Sequence, residues 1–209
     1  MGMSASKQVG GWGLRSLRLG LPILMLLLVA CGSTSKLRTE SADARRQIRD
    51  YDRVEVINFD ATATKKSDDE QKLADFLGAL AEARSHFADR IAEELTERGA
   101  FSEVSRDPLE GSALRVSGTI TRFEEGNVAA RMVTGFAGQA HFEATVTVTD
   151  NTTGELLGSF DVDRNSWPLP IGASTNAVQN VGMFMNGAAN RIADELAAAR
   201  GVKPKGDGK

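Results

Sequence analysis

Residues able to do chemistry are sparse in this 209-residue chain, which has one cysteine, Cys31, and two histidines, His86 and His141. Asp161 and Asp163 stand two apart, so on a strand they share a face about 7 Å from one another and could share a calcium ion with Asp150. A solvated strand edge is the competing reading. The usual zinc and iron–sulfur sites need more cysteine and histidine than is present, so no metal and no cofactor are expected. Gly135-Phe136-Ala137-Gly138 has the glycines of a phosphate cradle. No Lys-Ser/Thr pair follows it, however, and it leads into a strand, so it reads as a bulge or turn. No G-x-S-x-G elbow occurs, and His141 would have to act as a base from a strand face lined with threonine. No catalytic residue is expected.

The remaining reactive group is the Cys31 thiol, directly behind Leu28-Val29-Ala30. Lys7, Arg15 and Arg18 make a basic start, and Leu19 to Ala30 is apolar apart from Gly20 and Pro22. At about 12 residues this run is shorter than the roughly 20 a transmembrane helix needs, and it suits the core of a signal peptide. The junction resembles the lipobox of bacterial lipoproteins. That resemblance implies cleavage between Ala30 and Cys31, with Cys31 carrying diacylglycerol on sulfur and an acyl chain such as palmitate on nitrogen. An uncleaved anchor, or ordinary cleavage beside an incidental cysteine, would leave a free thiol in an oxidising compartment. Each buried methylene contributes about 0.8 kcal/mol, so two or more acyl chains anchor stably where one does not. Gly32 follows where the resemblance would have an aspartate for inner-membrane retention, so the expected location is the periplasmic face of the outer membrane.

Removing residues 1–30 takes three of the 25 basic residues and none of the 28 acidic ones, which moves the net charge from −3 to about −6. An acidic chain without a basic stripe is a poor nucleic-acid ligand, because that binding rests on neutralising phosphates. The remainder is long enough for one domain with its own core, and a single cysteine allows no internal disulfide. Residues 31–52, mostly polar, read as the lipidated N-terminus and a flexible tether with one helical turn near Ala44–Ile48. Residues 53–200 read as the folded domain and 201–209 as a disordered tail.

Within the domain, Arg53 to Phe59 predicts a strand. Ser67 and Glu70 have capping-box spacing, and Leu73, Phe76, Leu77, Leu80, Phe87, Ile91 and Leu95 form a helical stripe that Gly99 ends. A short strand is expected over Phe101–Ser105. Leu114, Val116, Gly118 and Ile120 alternate with polar residues, as do Ala140, Phe142, Ala144, Val146 and Val148. A turn at Asp150–Gly154 leads to a hairpin partner with Leu156, Phe160 and Val162 inward. A closing helix over about 175–200 carries Val178, Val181, Met185, Ile192 and Leu196, with Gly182 and Gly187 allowing close packing. The expected fold is a single α+β domain: a mainly antiparallel sheet of four to six strands with two long helices on one face.

Gly118 to Asn127, Arg131, Gly135 to Gly138, and Val146 to Asp150 before Thr153-Gly154 together resemble an uncharacterised family of bacterial lipoproteins, DUF4410, over roughly Val54 to Leu196. The glycine segment is shorter than the family's G-F-G-x-G form. The resemblance implies no enzyme activity and no catalytic residues. A looser likeness links such domains to envelope assembly and secretion lipoproteins.

The expectation is therefore a lipid-anchored envelope component with a periplasmic binding or assembly domain, held to the membrane by its lipid and partnered by an envelope protein. A periplasmic hydrolase and a small-ligand carrier are the rival readings; a carrier would need a deep apolar pocket beneath the sheet. Two prolines hold Trp167-Pro168-Leu169-Pro170-Ile171 out of a sheet ladder, making Trp167, Leu169 and Ile171 the candidate partner contacts. The rival reading folds Trp167 back onto the core. Replacing Cys31 with Ala should abolish metabolic lipid labelling and leave unprocessed precursor; normal maturation of that variant would refute the lipoprotein reading.

Overall fold

A computed structural model of the chain describes residues 33–39, 41–127, 138–166 and 179–202. Among these residues, helices α1 (Ala42–Gln47), α2 (Glu70–Arg98) and α3 (Val181–Arg200) accompany six strands: β1 (Arg53–Val56), β2 (Asp60–Ala61), β3 (Glu103–Ser105), β4 (Leu114–Glu124), β5 (His141–Asp150) and β6 (Leu156–Asn165). The strands form one sheet in the order β3-β1-β4-β5-β6, with β2 continuing the line of β1 along β4.

The sheet is mixed rather than mainly antiparallel. β4, β5 and β6 are antiparallel, whereas β1 runs parallel to both β3 and β4, and β2 is parallel to β4. The cause is the 29-residue helix α2 between β2 and β3. A long helical connection carries the chain back to its starting end, so the next strand re-enters in the same direction. Alternation alone does not distinguish the two senses for strands of three or four residues.

α2 and α3 cover the apolar face. Phe76, Leu80, Ala83, Phe87, Ile91 and Leu95 from α2 are buried against Val181, Met185, Ile192 and Leu196 of α3 and the inward residues of the sheet. Phe87 packs its ring between Phe59 (centroids 4.8 Å apart) and Phe142 (5.0 Å, edge-on), geometries that add to area burial. Gly118 makes room for this cluster, since a Cβ there would lie 2.7 Å from the Phe59 ring and 2.1 Å from the Thr145 carbonyl. The α2 stripe does not hold in its first turns, where Leu73 is 36% and Leu77 54% exposed. α2 is about 43 Å long, against about 36 Å for the longest strand, so the helix outruns the sheet. Its N-cap is Asp69, whose side chain accepts from the Gln71 and Lys72 amides, while the Ser67 hydroxyl accepts from the Asp69 amide. Gly99 closes the helix at φ 60°.

Two bulges change the phase of the alternation. The register shift between Ile120 and Arg122 pairs Phe123 with Phe142, so Phe123 returns to the core and Arg122 faces out beside Glu143. A second shift opposite Val148 and Thr149 turns Leu156 outward at 38% exposure and buries Leu157, correcting the inward placement of Leu156.

Residues 33–39 and 41–52 are docked, not a free tether. Thr34 and Arg38 bridge to Val162 and Ser159 of β6, Leu37 is buried against Gly158, and Ile48 after α1 is wholly buried. The apolar residues spaced through this segment supply burial that its polar average conceals. At the other terminus Gly201 caps α3 and the Val202 amide bonds the Ala197 carbonyl, while residues 203–209 lie outside the described residues.

An ion network joins the two long helices. Arg98, only 3% exposed in its side chain, meets Asp194 of α3 at 3.1 Å and also pairs with the buried Glu94, which Arg90 reaches at 2.7 Å. Burial works against the Arg98 charge, but Asp194 and Glu94 more than offset it and raise its pKa. Removing one member of such a group typically costs about 3–5 kcal/mol because its partners stay buried.

The register gives a paired prediction. Val146→Lys should lower the melting temperature sharply, since it loses roughly 1.5–3 kcal/mol of side-chain burial and adds a buried charge. Thr145→Lys, exposed and opposite Asp161, should melt like the wild type.

Candidate functional site

The face of β4–β5–β6 opposite the long helices carries the polar side chains of the alternation. Ser117 and Thr147 share a 3.0 Å hydrogen bond across β4 and β5. Towards the end of the sheet where β5 begins, charge concentrates. His141 and Glu143, two apart on β5, project to the same side, and register places Asp163 of β6 opposite Glu143. His141 Nε2 lies 2.9 Å from Glu143 Oε1 and 3.0 Å from Asp163 Oδ1. Arg122 stands on the far side, 2.9 Å from Glu124 Oε1 and 3.6 Å from Glu143 Oε1. Its bond to Glu124 and its proximity to Glu143 raise the Arg122 pKa despite partial desolvation.

One imidazole nitrogen and two carboxylate oxygens, all within 4.8 Å of one another, form the one group of metal-ligating character among the described residues. The donor set suits a divalent cation such as zinc. The same atoms already meet one another as a polar network, and the Arg122 charge beside Glu143 competes with any cation. Sequence reasoning weighed His141 alone and missed this cluster. The available signal was the His-x-Glu alternation, but Asp163 joins only through the β5–β6 register.

The aspartates considered for calcium do not converge. Asp161 is paired with Arg38 and Asp163 with His141, while Asp150, at the far end of β5, accepts from the Tyr51 hydroxyl. His86 lies on α2 in a groove shared with Glu82, Phe123, Glu125, Val181 and Met185, so the sheet separates it from His141. Of the glycine segment only Gly138 is described; its φ is 74°, and its carbonyl accepts from the Asn127 amide at 2.7 Å. Ala30, Cys31, Arg131, Trp167, Leu169 and Ile171 lie outside the described residues.

Two further polar groups were not anticipated. Glu55 of β1 is fully buried, paired with Arg115 of β4 and accepting the Leu109 amide at 2.5 Å, so the segment after β3 closes over it. Arg164 of β6 donates to Thr34 Oγ1 at 3.0 Å and to the Gly187 carbonyl at 3.2 Å, and burial lowers its pKa. A Cβ at Gly187 would lie 2.9 Å from the Arg164 guanidinium, so a side chain at this helix position would make that group shift.

A family model described as "Domain of unknown function (DUF4410)" matches residues 54–169. No curated protein is matched by the sequence. Among solved structures, a dodecamer of a PelC point variant from Paraburkholderia phytofirmans superposes with a TM-score of 0.51 at 16% identity, covering 79% of this chain and 97% of that one. A second PelC dodecamer from the same organism gives 0.50 at 15% identity, with the same coverage. A Xanthomonas campestris protein of the DUF330 family gives 0.39 at 15% identity, covering 70% of this chain and 82% of that one. At these identities the PelC match is a likeness of fold.

The Tyr51–Asp150 pair gives a pH prediction. Burial, then the hydrogen bond to Asp150, push the Tyr51 hydroxyl up to about 12, and that bond together with the Thr153 amide holds Asp150 below the usual carboxylate range. Because the folded-state pKa is raised from 10.0, the stability it contributes is present below pH 10 and is lost as pH rises through about 12. Tyr51 is the sole tyrosine, so phenolate absorbance reports it alone. Titration should centre near 12 in the wild type and move towards 10 in Asp150→Asn.

Proposed function

The chain belongs to the family described as Domain of unknown function (DUF4410), and from that premise we propose that it is a lipid-anchored component of the bacterial cell envelope, acting through its α+β domain as a binding or assembly module. The observation that carries this reading is where the domain keeps its polar groups. Phe59, Phe87, Phe142, Ile91 and Ile192 fill the space beneath the sheet, and the charged and hydroxylic side chains stand on the opposite face, open to a macromolecular partner. A carrier would keep its ligand in the space these side chains occupy. A hydrolase would need a nucleophile in reach of a base, whereas the His141 Nε2 is turned to two carboxylates.

The leader supports the envelope location, because a basic start, a short apolar run and a sole cysteine behind Leu-Val-Ala form the sequence on which lipid attachment acts. PelC, which shares the fold, is a dodecamer, so self-assembly is one form the partner can take. Cross-linking in intact cells, followed by recovery of the full-length lipoprotein, tests the reading. The expected result is one recurrent envelope partner or a defined ladder of self-adducts. Recovery of monomer alone, carrying a stoichiometric small molecule or showing esterase or glycosidase activity, would overturn it. The same recovery made with Trp167→Ala should lose the partner at an unchanged melting temperature if the loop docks; a large fall in melting temperature would place Trp167 in the core instead.

A further inference from the structure

The short distance between the lipid-bearing position and the folded domain constrains how the domain sits on the membrane. The first described residue, Ser33, is already part of the fold: its carbonyl accepts from the Asp163 amide at 3.0 Å. Further along, the Ser35 amide bonds the Asp161 carbonyl at 2.8 Å, and Arg38 and Ser159 exchange a pair of main-chain bonds at 3.0 and 2.8 Å. Thr34 Oγ1 accepts from Arg164, Leu37 is buried, and Ile48 fixes the segment after α1 in the core. Ser33 stands two positions beyond Cys31, a reach of at most about 7 Å.

The row of residues across the sheet at Ser33 runs Asp163, Glu143, Arg122. Beside it Phe123 meets Phe76 with ring centroids 6.3 Å apart, on the opening turns of α2, and shares a groove with Val181 and Met185, on the opening turns of α3. Those turns carry Leu73, Leu77 and Met183, exposed by 36, 54 and 51%, which are three of the four large exposed apolar side chains among the described residues. The fourth, Leu156, lies at the opposite end, beside the Asp150–Gly154 turn.

We propose that residues 33–39 are a docked leash that stands the domain on the membrane by this end, with Leu77, Leu73 and Met183 resting in the lipid interface and the Asp150–Gly154 turn pointing away. The proposal rests on lipidation of Cys31. A free tether of about 20 residues would let any face meet the bilayer, whereas a docked leash that starts two positions after the lipid-bearing residue presents one. Charges beside these apolar residues are mixed, with Lys65, Lys66 and Lys72 against Asp68, Asp69, Glu70 and Asp75, so the contact is apolar and should be insensitive to salt.

The test uses full-length lipidated protein carrying one added cysteine, Leu77→Cys, Met183→Cys or Thr152→Cys, labelled with a fluorophore. Each variant is reconstituted into vesicles of phosphatidylethanolamine and phosphatidylglycerol containing nitroxide-headgroup lipid. Flotation with the vesicles reports the anchor; protein left at the bottom of the gradient would sink the lipoprotein reading and this proposal with it. With flotation established, quenching severalfold stronger at positions 77 and 183 than at 152, unchanged by salt, is expected. Equal quenching at the three positions would overturn the orientation. So would an absence of quenching at 77 and 183 joined to their protection from aqueous thiol reagents in intact envelopes, which would mean that a protein covers them. Inserting twelve Gly/Ser residues before Ser33 gives about 20 Å of slack and should erase the contrast. A contrast that survives the insertion would overturn the leash as its cause.

Discussion

Helical cover on a single face of the sheet is the constraint from which the rest of this structure follows. β4, β5 and β6 alternate apolar and polar side chains, and α2 and α3 bury the apolar side. A single-residue slip would exchange the two faces, so the register is held by the whole core. The two bulges belong to that constraint. At Thr121 the extra residue returns Phe123 to the aromatic cluster, and at Leu157 it keeps an apolar residue inward as the hairpin ends. One consequence is that polar and charged side chains gather on the open side, where His141, Glu143, Asp163 and Arg122 meet.

The second consequence concerns the sheet edge. A β6 edge left open would present unpaired amides and carbonyls to any other strand. Here the chain's own N-terminal segment occupies it, with Arg38 paired to Asp161 and Arg164 reaching from β6 to both Thr34 and the backbone of α3. Edge protection and attachment of the N-terminus are thus the same set of bonds. β3 at the other edge is only three residues long, which limits pairing there.

The helices are tied to each other by charge as well as by packing. Arg98, Glu94 and Asp194 sit at the α2–α3 contact where apolar residues would pack as readily. A buried pair of this kind contributes little net stability, since desolvation offsets attraction. It also ties the two helices at one point, because Arg98 is held by Glu94 of its own helix while it reaches Asp194 of the other.

Much of the molecule is legible in the residues themselves. The core strands and the long helices follow from periodicity, because burial on one face repeats every second or every third to fourth residue and leaves that period in the sequence. The cap at Gly99 and the Asp150–Gly154 turn follow from local backbone chemistry, which needs no distant partner. Family membership was legible as well, carried by the residues from Gly118 to Gly154. Tertiary structure alone decided the parallel sense of β1, β2 and β3, because direction depends on where α2 returns the chain. It also decided the phase shifts at the bulges, the burial of Glu55, the meeting of His141 with Asp163, and the docking of residues 33–39 and 41–52. Each of these joins residues far apart in sequence, and composition averaged over a segment does not record which of its side chains finds a partner on another strand.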